Sequence, residues 1–143
     1  GILNRSPPEV LGEVLLIDDN SNLPQLSLLP KKLEELQALL PPGKVRLVRR
    51  DIHNGIVGAR NRGVQEALYP VVVILDSHAE VTHGWLVPLV SRIAEDRTRV
   101  VVPNIIAMNI DALTFDGGQT WPPLRGAFNW RLGFNIVPAD PIK

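Results

Sequence analysis

The stretch "VVVILDSH" at 71–78 constrains the fold more than any other part of the chain. Five aliphatic residues, mostly β-branched, form a continuous apolar run, the pattern of a central strand buried on both faces of a parallel sheet. The run then breaks into Asp76, Ser77 and His78, three groups that want water, a proton partner or a metal. A strand that ends this way reads as a rigid post with a polar tip.

The remaining segments supply the layers around it. "EVLLIDD" at 13–19 predicts a second buried strand that breaks into the turn-rich "NSNLP". "PKKLEELQALLPPGK" carries Leu33, Leu36, Leu39 and Leu40 at helical spacing, with Pro30 at its start and Pro41, Pro42 and Gly43 at its end. "KVRLVRR" alternates like a strand exposed on one face, "VGARNRGVQEALY" predicts a helix closed by Pro70, and "GWLVPLVSRIAED" predicts another with Pro88 in its first turn. "RVVVPNIIAM" predicts one more strand, and beyond Met108 the Gly-, Pro- and Trp-rich chain predicts loop with at most a short edge strand. Strands alternating with helices give an α/β fold, a mostly parallel sheet flanked by helices. At 143 residues the chain fits one compact domain, 1–143, and is too short for two ordinary ones.

Composition narrows the partners. Fifteen Lys and Arg balance fifteen Asp and Glu, so no overall field draws the chain to nucleic acid or an anionic membrane, and binding must come from a local site. The absence of cysteine excludes disulfides, thiolate chemistry and Cys-ligated zinc without fixing the compartment. No apolar run approaches the roughly 20 residues of a membrane span, and "GILNRSPPEV" lacks the regions of a signal peptide. A membrane anchor is therefore expected only outside this chain.

In open α/β sheets ligands bind beyond the carboxyl ends of the strands. Asp18 and Asp19 end one predicted strand and Asp76, Ser77 and His78 end another, so as parallel neighbours they would open on one mouth. Extended backbone sends residues i and i+2 to the same side, which lets Asp76 and His78 approach one cation. A carboxylate with an imidazole suits a borderline divalent ion such as manganese(II), and a metal bridging nucleotide phosphates would neutralise a leaving group. Plainer readings stand beside this one. An Asp-x-His triplet also arises by chance, Asp18 suits a capping or turn acid, and His53 and His83 suit solvated loops. Arg60 and Arg62 suit a solvated helix face, although near a helix start they can also meet phosphate, and Trp85 and Trp130 suit packing.

Taken in pieces the chain resembles a bacterial receiver domain, with "VLLIDDN" as its first strand and acid pair, Asp76 as phosphoacceptor, and Asp18 and Asp19 holding magnesium. The proline that follows that aspartate in receivers is replaced by Glu80, and the hydroxyl-bearing strand end is missing from "VVVPNIIAM". A longer, ordered resemblance covers 3–134. "LNRSPPEVLGEVLLIDDNSN", "LDSHAEVTHGWLVPLVSRIAEDRTRVVVPNI" and "FNWRLGF" together resemble the catalytic domain of the polypeptide N-acetylgalactosaminyltransferases.

That resemblance implies a GT-A type, Rossmann-like fold, incomplete relative to the full catalytic domain. It implies transfer of N-acetylgalactosamine from UDP-GalNAc to Ser or Thr of a polypeptide acceptor, with retention, Mn2+ as cofactor and the Golgi lumen as location. Matched residue by residue, it makes Asp76 and His78 metal ligands and Ser77 and Asp19 nucleotide-sugar contacts, with Asp19 on the uridine. Arg60 and His53 join them as candidates for the phosphates and sugar nucleotide. His53 replaces a family arginine and is a poorer, pH-dependent substitute; Ala79 replaces a common cysteine, and Asn129 replaces an acid. The family's opening strand, its third metal-ligating histidine and the rest of its acceptor-binding half have no counterpart within 1–143, and no catalytic residue is assigned. The alternative expectation is a catalytically inactive member that serves as a sugar-nucleotide-binding or partner-binding module.

Overall fold

The computed structural model describes residues 1–22, 24–103, 105–106, 108–109, 114–115 and 124–138. The chain divides into two compact units, Gly1–Arg99 and Val100–Lys143.

In the first unit α1 (Ile2–Arg5) precedes β1 (Val14–Asp18), a 3-10 turn (Pro24–Leu28), α2 (Leu29–Gln37), β2 (Val45–Arg49), α3 (Gly55–Glu66) and α4 (Leu86–Glu95). β1 and β2 pair in parallel, from Val14 opposite Val45 to Asp18 opposite Arg49. A parallel pair needs a crossover, and α2 provides it, with Pro30 in its first turn where no N–H is missed. Gly43 at φ +78 then turns the chain into β2, a conformation that a side chain would strain. The Gln37 side chain fixes the join by donating to the Val45 carbonyl at 2.8 Å.

α3 lies over β1 at a small residue. A Cβ at Gly63 would stand 3.4 Å from Ile17 Cγ1, an ordinary contact, so this face of the helix meets β1 through Ile17. The helix starts two residues before the sequence pattern suggests and ends three residues early. Ala67 turns extended, and the Leu68 N–H goes to the Glu13 carboxylate at 2.7 Å. Glu13 also meets Arg46 at 2.8 Å, which closes the end of the sheet opposite to the acid pair. Val45, Val81 and Leu86 are the buried apolar side chains among the described residues, and the indole of Trp85 packs at the rim, donating to Ser6 Oγ at 3.0 Å.

The expectation of a central strand at 71–75 needs correction. Among the described residues the run has no ladder partner, and Val72, Val73 and Ile74 are exposed, Ile74 by 52%. Among the described residues β1 pairs only with β2, and between β1 and the run lies an apolar cavity of about 700 Å³ lined by Leu15, Ile17, Val71, Val73 and Leu75 among others. Ladder neighbours stand about 4.8 Å apart, a spacing that this cavity interrupts. The run therefore faces apolar side chains as its composition demands, but its backbone is left without sheet partners.

The second unit differs more. "RVVVPNIIAM" forms no long strand: residues 99–103 and 105–106 are unpaired in any sheet, and β3 (Met108–Asn109) pairs antiparallel with β4 (Thr114–Phe115). Residues 104, 107, 110–113 and 116–123 lie outside the described residues. Where loop was expected, β5 (Leu124–Phe128) and β6 (Phe134–Pro138) form an antiparallel hairpin. Asn129 builds its turn, its Oδ1 accepting the N–H groups of Arg131 and Gly133, each at 2.9 Å. Phe128 and Phe134 close the strand ends edge to face, with ring centroids 5.4 Å apart.

Candidate functional site

The parallel register sets Asp18, the last residue of β1, opposite Arg49, the last of β2, with Asp19 and Arg50 next along each chain. Asp18, 5% exposed, accepts the Ser21 N–H at 2.9 Å on Oδ1, and Arg49 Nη1 stands 3.1 Å from its Oδ2. The backbone hydrogen bond from Ser21 does most to hold its carboxyl below the usual range, against the opposing effect of burial, with the Ser21 side chain and Arg49 adding to the lowering. Asn20, at φ 61, makes the tight turn that brings Ser21 back. Asp18 is thus a turn acid, one of the plainer readings open to it.

Asp19 faces the start of α3. Its oxygens accept the Asn54 N–H at 3.2 and 3.1 Å, Arg50 Nη1 stands 3.1 Å from Oδ1, and His53 Nδ1 stands 3.0 Å from both Oδ2 and the Asp19 carbonyl. With acceptors on that side, Nδ1 carries the proton and donates. Arg50 and Asn54 were missed as site residues. The signal was available, because "DD" ending one strand and "RR" ending its parallel neighbour fall side by side when the register is in phase.

The tip at 76–78 is a turn. Ala79 donates its N–H to the Asp76 carbonyl at 3.0 Å, so the backbone bends at Ser77 and His78, and the expected alternation of an extended strand does not apply. Asp76, Ser77 and His78 are all exposed. Arg60 Nη2 donates to Asp76 Oδ1 at 3.0 Å. Beyond the turn, α1 anchors the chain, with Arg5 donating to Glu80 at 2.6 Å and to the Val81 carbonyl at 2.5 Å.

The two acid-bearing segments are therefore not ladder neighbours, but one helix grips both. Asn54 at the N-terminus of α3 holds Asp19 and Arg60, six residues on, holds Asp76, a separation of roughly 9 Å along the helix. Arg60, Asp76 and Ser77 form a polar rim on the apolar cavity, whereas Asp19, His53 and His78 do not line it. Among the described residues no three His, Asp or Glu side chains converge as a metal cage. Asp76 and His78 both stand on this one exposed turn.

The sequence model described as Glycosyl transferase family 2 matches residues 2–140. The chain belongs to glycosyl transferase family 2. Within the family it is 41% identical over 139 residues to the "Probable N-acetylgalactosaminyltransferase 9" of Caenorhabditis elegans, a match covering 93% of this chain and 22% of that protein. It is 38% identical over 140 residues to "Polypeptide N-acetylgalactosaminyltransferase 10" of Mus musculus, covering 98% of this chain and 22% of the relative. The chain thus spans about a fifth of these relatives. Among solved structures, "Crystal structure of GalNAc-T7 with UDP, GalNAc and Mn2+" superposes with a TM-score of 0.79 at 34% identity, over 97% of this chain and 26% of that one. This family 2 chain therefore has a partial GT-A fold, and the receiver reading is set aside.

Proposed function

We propose that this family 2 chain is the donor-binding part of a glycosyltransferase that moves N-acetylgalactosamine from UDP-GalNAc to Ser or Thr of a polypeptide, with retention at the anomeric carbon and manganese in the site. The observation that carries the reading is that α3 contacts both acids, Asp19 through Asn54 and Asp76 through Arg60. Likeness to N-acetylgalactosaminyltransferases, and to a structure solved with UDP, GalNAc and Mn2+, supports the choice of donor. The Golgi lumen follows as the compartment of such a reaction.

In this reading Asp19 accepts from the uracil N–H or a ribose hydroxyl, Ser77 hydrogen-bonds the sugar nucleotide, and Arg60 meets the diphosphate. Asp76 and His78 are the residues that would hold the metal. When bound, the metal supplies positive charge that screens the departing diphosphate. His53 meets Asp19 through Nδ1, and its Nε2 is the nitrogen that would reach the sugar nucleotide.

One observation favours the second reading, a sugar-nucleotide-binding module without catalysis. The carboxylate of Asp19 is engaged on both oxygens, so it serves structure before any ligand arrives. Calorimetric titrations of UDP-GalNAc, UDP and CDP, each with Mn2+, test the proposed donor site. Preference for the uridine ligands is the expected result, and equal binding of CDP or no binding at all would contradict it.

A further inference from the structure

Arg60 and Asp76 hold each other, yet the proposed function asks each of them to hold something else. The guanidinium of Arg60 donates Nη2–H to Asp76 Oδ1 at 3.0 Å, on the polar rim of the cavity. The side chains are 45% and 50% exposed, so solvent and ions reach the pair. Nearby arginines are spoken for by other acids: Arg50 by Asp19, Arg49 by Asp18, Arg62 by Glu66 and Arg5 by Glu80. In Arg60, by contrast, a cation is paired with the very carboxylate that the site would offer to a divalent ion.

We propose that the Arg60–Asp76 ion pair is a latch that couples binding of a divalent cation to binding of a diphosphate, an inference that rests on the donor-site reading above. While the pair is closed, the guanidinium masks the charge of Asp76 and the carboxylate masks that of Arg60. A cation taken up at Asp76 frees Arg60 for phosphate oxygens, which guanidinium recognises with two parallel donors. A diphosphate taken up at Arg60 likewise frees Asp76 for the cation. Each ligand removes a cost otherwise borne by the other, and by linkage the gain is the same in both directions. Because the pair is half exposed, its grip is modest, and the coupling it supplies is on the order of two- to five-fold in affinity.

The test uses the whole chain as wild type, Arg60→Gln, Arg60→Lys and Asp76→Ala. Mn2+ binding is read from loss of the free-ion electron paramagnetic resonance signal, with and without UDP, corrected for the Mn2+–UDP complex measured without protein. The latch predicts that Arg60→Gln binds Mn2+ alone about two- to five-fold more tightly than wild type, that UDP then improves Mn2+ affinity less than in wild type, and that Arg60→Lys falls between. If Asp76→Ala weakens Mn2+ binding but Arg60→Gln leaves both the affinity and the UDP effect at wild-type values, the latch is wrong and the donor site stands. If Asp76→Ala binds Mn2+ as wild type does, the donor-site reading fails and the latch falls with it.

Discussion

Asn54 gives its backbone N–H to both carboxylate oxygens of Asp19, at 3.2 and 3.1 Å, so the last acid of the β1 turn sits at the N-terminus of α3. A carboxylate there meets an unsatisfied helix donor and the positive end of the helix dipole. Asp19 therefore holds the helix that carries Arg60, and Asp19→Asn should cost about 1–2 kcal/mol of stability while also weakening UDP binding. Urea denaturation followed by circular dichroism measures the first effect, and an unchanged midpoint would show that α3 does not depend on this contact.

Acid should loosen the turn built on Asp18. Its carboxyl lies below the ordinary 3.8 in the folded chain, so the stability it contributes is present above that value and is lost as pH falls through the lower folded-state value. The Asp18→Asn variant should start less stable by about 1 kcal/mol and show a flatter loss on acidification than wild type, measured as urea midpoints from neutral pH down to strongly acidic buffer. Parallel pH profiles for the two proteins would rule out this role for Asp18.

The open side of β1 should be detectable in solution. With a large apolar cavity between β1 and the run at 71–75, the folded chain should enhance the fluorescence of an apolar dye such as ANS. Leu86, 4% exposed, should cost about 2–4 kcal/mol when cut to alanine, whereas Val73, 40% exposed beside the cavity, should cost under about 1 kcal/mol. Equal losses at the two positions would mean that the cavity is closed in solution.

In the second unit, Asn129→Ala removes both side-chain bonds of the hairpin turn and should unpair Phe128 from Phe134, with a loss of about 1–2 kcal/mol of local stability. Asn129→Asp keeps the accepting oxygen and should keep the hairpin. Cross-strand nuclear Overhauser contacts between the two rings distinguish the variants, and their survival in the alanine form would contradict the role given to Asn129.

The helices α2, α3 and α4 and the first two strands are legible because their signals are local, whereas the four-residue α1 was not foreseen. Leucines at helical spacing between prolines mark α2, and aliphatic runs ending in "DD" and "RR" mark β1 and β2. Residues 71–75 show where such reading stops. Apolar continuity specifies a segment that faces apolar surroundings, but a strand also needs neighbours for its backbone, and composition does not say whether they are present. The hairpin at β5 and β6 was obscured by its glycines and exposed aromatics, although Asn129 and Gly133 flanking a three-residue loop were a usable turn signal. At the site, the acids were found because they end apolar runs. Of their partners, Arg60 was already a candidate from the sequence; Arg50 follows from the strand register, and Asn54 from where α3 begins.

The most direct test of the account is calorimetric titration of UDP into the chain with and without Mn2+, repeated with Asp76→Ala. Binding that requires Mn2+ and falls at least ten-fold in the variant is the predicted result, a loss of about 1.4 kcal/mol or more. Binding that is indifferent to both Mn2+ and Asp76 would contradict a donor site at this turn.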